Sequence, residues 1–238
     1  MKLILVSSGV SSLDQLLGGG YPDRSMILVV GPTGIGKEAL AYWFTHSGLI
    51  QGDLSLYITR LTVHEVLQDV KGFGIDLQQR PPVWLTGVTR QPTHNFDDLE
   101  RLSSDIKNVL GKSSDRGIRI ATDILSSLLM YNAFDSVYRF LNQLFVELKQ
   151  YNAVLLATLE EGMHNTEVVA AMQQVFDGVV ELKMYEEGLR ALPLLRIRKM
   201  RGLAPPPGYF NFSFTKPRME VSAHVKEMGI RAWLRGPT

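Results

Sequence analysis

The chain of 238 residues has no cysteine. That excludes disulfides, thiolate metal sites and cysteine nucleophiles. No apolar run approaches the roughly 18–20 residues that span a bilayer. The opening Met1–Val6 is too short for the apolar part of a signal peptide and lacks a small-residue cleavage site. These absences set the expectation of a cytoplasmic protein with no membrane partner. Neither charge dominates, since 25 Lys and Arg against 24 Asp and Glu leave a net charge of +1. Five histidines, His46, His64, His94, His164 and His224, form no helical i, i+4 pair, so a zinc site is not expected. Ser126-Ser127 lacks the G-x-S-x-G surroundings of a nucleophile elbow. There is no internal repeat.

What is present is an ordinary folded composition, 45% apolar and 21% charged, which excludes collagen-like, disordered and coiled-coil chains. The length favours one domain with a small elaboration. The near-zero net charge hides an asymmetry. From Arg196 to Thr238 nine Lys and Arg face only Glu220 and Glu227, so this end carries +7 and the preceding 195 residues carry −6. Such an imbalance suits an anionic ligand, nucleic acid or the acidic face of a neighbouring subunit, besides a plain solvated surface.

Short apolar runs alternate with helical periodicity. Met26–Val30, Leu54–Thr59, Val83–Thr86, Ile118–Thr122 and Ala153–Thr158 read as buried strands. Between them lie helical patterns over Lys37–Ser47 (with Gly48 as the stop), Thr62–Lys71, Phe96–Leu110 and Ala133–Lys149. Strand–helix alternation of this kind specifies a mostly parallel sheet with helices on both faces. After Gly178 the runs Val179–Leu182, Leu194–Arg198 and Tyr209–Phe214 are separated by Gly- and Pro-rich turns, and read as antiparallel additions at one edge.

Between the first of these strands and its helix lies Gly31-Pro32-Thr33-Gly34-Ile35-Gly36-Lys37, the pattern G-x-x-x-x-G-K. In that context it is a phosphate loop: glycines let successive N–H groups point inward, the helix N-terminus adds positive partial charge, and Lys37 neutralises the outer phosphates. The next position normally supplies a Ser or Thr hydroxyl for magnesium, and here it is Glu38. A carboxylate is a hard oxygen ligand. It also places negative charge beside polyphosphate, at roughly 4 kcal/mol for unit charges about 4 Å apart at an effective dielectric near 20. Acidic residues suit the first turn of any helix, which explains tolerance of Glu38 without restoring the hydroxyl. Asp123 closes the strand Ile118–Thr122, where P-loop NTPases keep a magnesium-organising carboxylate.

Several segments together resemble one family. Gly9–Pro22 is similar to the opening of KaiC-type domains of the RecA superfamily, and Asp123–Leu128 to their Walker B segment. Phe73-Gly74-Ile75-Asp76 matches the end of the helix after the second strand, and Lys199-Met200-Arg201-Gly202 a late strand-turn signature. The similarity runs from residue 9 to about 221, so one domain is expected over 1–221, with 222–238 as a C-terminal tail that packs on its own domain or docks on a protein partner. The resemblance implies a RecA-like P-loop fold, ATP or ADP as ligand, and a homo-oligomeric ring or filament with nucleotide at subunit interfaces. It places Gly31, Pro32, Thr33, Gly34, Ile35, Gly36, Lys37 and Glu38 at the nucleotide, Asp123 (with Glu38) at magnesium, and Lys199 and Arg201 at the γ-phosphate of a neighbouring subunit.

The departure lies after the second strand. Family members carry two adjacent glutamates there, the first activating the attacking water; the matching positions are Arg60 and Leu61. A guanidinium stays protonated and cannot act as a base. With Glu38 also in place, the resemblance implies a nucleotide-binding regulatory or scaffold oligomer with weak or no hydrolysis, and it weakens the case for magnesium. Glu38 and Arg60 are expected to pair. Glu160-Glu161 read as a solvated turn, although either is a substitute base in the alternative of an active ATPase. A third reading, a RadA-type recombinase paralogue on single-stranded DNA, finds no basic loop interleaved with stacking aromatics.

Overall fold

In the computed structural model each anticipated strand forms. The structure describes residues 3–86, 98–111, 116–187, 189–215 and 218–225. The chain runs through β1 (Leu5–Val6), α1 (Ser11–Leu16), β2 (Tyr21–Pro22), β3 (Met26–Gly31), α2 (Lys37–Gln51), β4 (Leu54–Thr59), α3 (Val63–Gly72), β5 (Val83–Thr86) and α4 (Leu99–Leu110). It continues with β6 (Ile118–Thr122), α5 (Leu125–Tyr131), α6 (Phe134–Gln150), β7 (Ala153–Glu160), α7 (Thr166–Val175), β8 (Gly178–Glu187), β9 (Arg190–Met200), β10 (Tyr209–Thr215) and β11 (Arg218–Val225).

Nine strands make one sheet in the order β11-β10-β9-β8-β3-β7-β6-β4-β5. Every pairing from β5 through β8 is parallel, and β9, β10 and β11 add antiparallel. The central strand β3 is buried along its whole length, as a parallel strand covered on both faces must be. On one face Leu13 of α1, Ala39–Phe44 of α2 and Val66 and Val70 of α3 form one apolar cluster. On the other, Leu102, Leu125, Leu141 and Met172, from α4, α5, α6 and α7, form the second. The fold is the α/β, RecA-like arrangement that the sequence specifies.

The helix after the phosphate loop does not stop at Gly48. It continues to Gln51 and ends at Gly52, whose φ of 83° is the left-handed conformation a helix terminus favours. Gly48 has a packing role instead: a Cβ there would lie 2.5 Å from Arg119 Cδ. Arg119, on β6, is 1% exposed. Its Nε donates to Asp53 Oδ2 at 2.7 Å, one Nη to the Ser7 carbonyl at 2.6 Å and the other to Gln51 Oε1 at 2.6 Å. Its guanidinium also lies 5.1 Å from the Phe44 ring centroid. One buried fork thus ties the N-terminal segment, the end of α2 and the start of β4 to the sheet.

The helix expected from Phe96 begins at Leu99, with Asp98 accepting from the Arg101 N–H at its N-terminus; Phe96 itself lies outside the described residues. Helices α1 and α5 escape the sequence pattern because six or seven residues give too few turns to set a period, and α7 escapes it because only Met172 of its residues is buried. The segment 222–225 is the end of β11, paired with β10, and the Val221 N–H donates to Ser12 Oγ at 2.8 Å. Met228 and Leu234 of the expected tail lie outside the described residues.

Removing one partner of a buried charge pair costs about 3–5 kcal/mol. Asp53 keeps 19% of its side chain in solvent, so Arg119→Met is expected at the lower end, about 3 kcal/mol. Urea unfolding with an unchanged m-value checks this, and a loss under about 1 kcal/mol contradicts the hub.

Candidate functional site

The candidate site sits where β3 gives way to α2. Gly34 and Gly36 have φ of 78° and 94°, so the loop needs glycine at both positions. Gly36 also has no room for a Cβ, which would run into the ring of Phe214 from β10. That ring stacks on Trp43 of α2, with centroids 6.0 Å apart and planes 10° apart. The antiparallel extension therefore closes over one side of the loop.

Lys37 is 1% exposed, and its ammonium is fully engaged. Nζ lies 2.7 Å from Glu160 Oε1 and 3.0 Å from Glu38 Oε1, and donates to the Pro32 carbonyl at 3.3 Å. Thr33 Oγ1 donates to the other Glu160 oxygen at 2.9 Å. Glu160 ends β7, the parallel neighbour of β3, in register with Gly31. Its N–H donates to Ser126 Oγ at 2.9 Å, and the Glu161 N–H to the Gly31 carbonyl at 2.9 Å. Glu160 is thus a ligand of the loop lysine, not part of a solvated turn, whereas Glu161 is exposed as expected. Its role follows from β7 lying beside β3, and strand order is not written in residue periodicity.

Asp123 follows β6 at the same end of the sheet. Its Oδ2 accepts from Thr59 Oγ1 at 2.8 Å, and Thr59 Oγ1 accepts from the Leu61 N–H at 3.1 Å. Burial pushes the Asp123 carboxyl up to about 6; the Thr59 hydrogen bond opposes the shift and the Glu38 charge adds to it. Tyr42 and Tyr57 stack beneath, centroids 5.7 Å apart. Burial raises both phenols, with the charges of Asp123 and Glu38 contributing to each.

The expected Glu38–Arg60 pair does not form. Glu38 pairs with the adjacent Lys37, while the Arg60 guanidinium lies 5.2 Å from the Tyr131 ring centroid at the end of α5. Leu61 packs against the apolar cluster shared with Tyr57 and Val66. The next acid along the chain, Glu65, closes a capping box on Thr62 at the start of α3, its Oε2 accepting from the Thr62 N–H at 2.7 Å.

Lys199 and Arg201 lie at the far end of the sheet. Arg201 Nη1 is 2.9 Å from Asp177 Oδ1 and Lys199 Nζ donates to the Gln174 carbonyl at 3.1 Å. Burial lowers the Lys199 ammonium, against the charge of Asp177. Asp177 also accepts from the N–H of Met26, the first residue of β3. The strand puts roughly 17–20 Å between that end and the loop. The two residues are not brought to Lys37 of their own chain. They border an open cavity of about 770 Å³ with Lys149, Gln174, Asp177 and Arg198. The basic excess after Arg196 is met in part from within: Glu181, 4% exposed, pairs with Arg196 at 2.7 Å and Arg198 at 3.1 Å. Among the described residues no cluster of three or more His, Asp or Glu has metal-site geometry, and no helix is long and apolar enough to cross a membrane.

This P-loop, with a carboxylate on the neighbouring strand end and the late Lys-Met-Arg-Gly turn, meets the KaiC ATPase family model, which matches residues 6–226. The chain belongs to the KaiC ATPase family. It is 27% identical over 261 residues to a UPF0273 protein of Methanopyrus kandleri, covering 96% of this chain and 97% of that protein. To the circadian clock protein KaiC3 of Synechocystis it is 26% identical over 227 residues, covering 92% of this chain but 43% of the relative. The chain therefore spans less than half of that clock protein. The solved structure of a KaiC-like protein from Pyrococcus horikoshii superposes with a TM-score of 0.78 at 18% identity, covering 93% of this chain and all of the other, and shows the shared fold. Membership of this ATPase family makes the chain a nucleotide-binding, KaiC-like domain.

The raised Asp123 acid gives a signed expectation. The folded form holds the proton up to about pH 6 and the unfolded chain only to 3.8, so this group's contribution to stability falls as pH rises between those values. Asp123→Asn keeps an acceptor for Thr59 and removes the charge. It is expected to unfold at higher denaturant than the parent at pH 8, with the gain vanishing near pH 4; a gain independent of pH contradicts the assignment.

Proposed function

We propose that this chain is a nucleotide-binding subunit of a homo-oligomer, holding ATP or ADP in the Gly31–Lys37 cradle, with little or no hydrolysis of its own and with nucleotide occupancy governing assembly. The observation that carries this reading is the contrast within one site. The backbone cradle and its buried lysine are intact, whereas the two positions that carry adjacent glutamates in the family hold an arginine on Tyr131 and a leucine on the core. Cradle and base are separable because the first is made of main-chain N–H groups and a lysine, and the second of one side chain.

Magnesium fits the residues present: Glu38 and Asp123 supply hard carboxylate oxygens near enough that the charge of one acts on the other. These two would hold the ion, and it would neutralise phosphate charge there. Lys37 binds the outer phosphates and the loop fixes their orientation. Lys199 and Arg201 reach phosphate only on a neighbouring copy, since the length of β3 separates them from their own loop. Oligomerisation thereby links two ends of the subunit, and nucleotide bound between copies favours the assembled state by mass action.

Phosphate release at saturating Mg·ATP, with Lys37→Ala alongside and the assembly state followed by light scattering, tests this. The expected result is release no faster than from Lys37→Ala, together with assembly that depends on ATP or ADP. Replacing Arg60 and Leu61 together by glutamate is expected to raise release by roughly a hundredfold, the usual scale of a positioned general base. Robust turnover by the parent chain, abolished in Lys37→Ala, establishes the active-ATPase reading instead, with Glu160 as its nearest acid.

A further inference from the structure

The contacts of Lys37 say more about what the cradle accepts. Its single positive charge already faces two carboxylates, Glu160 at 2.7 Å and Glu38 at 3.0 Å. Glu160 uses both oxygens, one on the ammonium and one on the Thr33 hydroxyl. Those are a cation and a loop hydroxyl of the kind that phosphate oxygens take in such a cradle. The carboxylate is held there from behind. Its own N–H is bonded to Ser126 Oγ and the following N–H to the Gly31 carbonyl, so the main chain is fixed and only the side chain can swing away.

We propose that Glu160 is an internal occupant of the phosphate cradle, which ligand must displace from Lys37 and Thr33, and that it makes the site select metal-loaded over metal-free polyphosphate. This rests on the nucleotide-binding reading above and goes beyond it. Lys37, Glu38 and Glu160 together carry −1, before the Asp123 carboxyl is counted. A metal-free polyphosphate adds only negative charge to a half-buried site where like charges repel strongly. A divalent cation arriving with the phosphates cancels that repulsion, so the displaced Glu160 no longer opposes them and Lys37 is free for phosphate. Glu160 is therefore a specificity-determining residue. It discriminates by repulsion, and no extra attraction to the preferred ligand is required.

The test is titration of the full chain with a fluorescent N-methylanthraniloyl ATP, once with magnesium and once with EDTA, for the parent, Glu160→Gln and Glu160→Ala. Thermal unfolding confirms that each variant is folded. The parent is expected to bind roughly a hundredfold more weakly without metal. Glu160→Gln keeps the shape and removes the charge; it should recover roughly tenfold of the metal-free affinity and change the magnesium-loaded affinity by less than about threefold. Glu160→Ala, which removes the hydrogen-bonding group along with the charge, should behave alike.

Equal binding by the parent with and without metal overturns the inference. So does a change of the same factor in both conditions, which a merely structural residue would give. Both outcomes leave nucleotide binding standing. Failure of the parent and both variants to bind in either condition overturns the nucleotide-binding reading and this inference with it.

Discussion

A lysine ammonium is not buried without anions around it, and Lys37 is 1% exposed. The arrangement of the candidate site follows from that constraint. The ammonium belongs to the first residue of α2 and sits at the C-terminal edge of the sheet. The groups that meet it come from three places: Glu38 from the same helix turn, the Pro32 carbonyl from the loop, and Glu160 from the end of β7. Glu160 in turn is fixed by Ser126 of α5. One buried charge therefore couples the loop, the central pair of strands and the helix that follows Asp123. A ligand that takes Lys37 must change what Glu160 does.

The sheet order turns these local contacts into a two-ended domain. Parallel strands place all their C-terminal ends along one edge, where open α/β sheets bind ligands. Lys37, Asp123 and Glu160 share that edge because β3, β6 and β7 run the same way. The antiparallel return of β9 carries Lys199 and Arg201 to the opposite edge, beside the first residue of β3, where Asp177 holds Arg201 and Lys149. The charge imbalance along the chain has part of its explanation here. Arg196 and Arg198 answer the buried Glu181, and Arg201 the half-buried Asp177, acids that belong to the preceding, negative part of the sequence.

The parallel half of the fold was legible because its strands are short and mostly apolar; Met26-Ile27-Leu28-Val29-Val30 is buried throughout, and single polar residues such as Ser55 in β4 and Arg119 in β6 do not hide the others. The outer half was legible only at its apolar centres. Strands β8 and β9 run to Glu187 and from Arg190, beyond Val179–Leu182 and Leu194–Arg198, because their outer stretches have one polar face and no continuous run. At the site the loop glycines and Lys37 were readable, since their conformation is dictated by residue type. Glu160 and Phe214 were not. Each acts from a strand whose neighbour is set by topology, and a residue period carries no information about which strands become neighbours. Arg60 misled for a related reason: its distance along the chain from Glu38 gave no hint that Tyr131, from α5, would take its guanidinium.

The changes at Glu38 and at Arg60 and Leu61 differ in physical kind. The Arg60 side chain lies on the Tyr131 ring and that of Leu61 packs on the apolar cluster, so neither takes part in the contacts of the cradle. Glu38 stands within the cradle, 3.0 Å from the lysine, and alters the charge that any phosphate meets. The residues after β4 are therefore separate from the cradle, whereas Glu38 is part of it. A compensating Glu38–Arg60 pair would have left the site neutral. With that pair absent, the negative charge of Glu38 stays at the loop beside that of Glu160. Phosphate binding in this chain is then a competition among anions for one ammonium, and a cation that accompanies the ligand shifts the balance toward it.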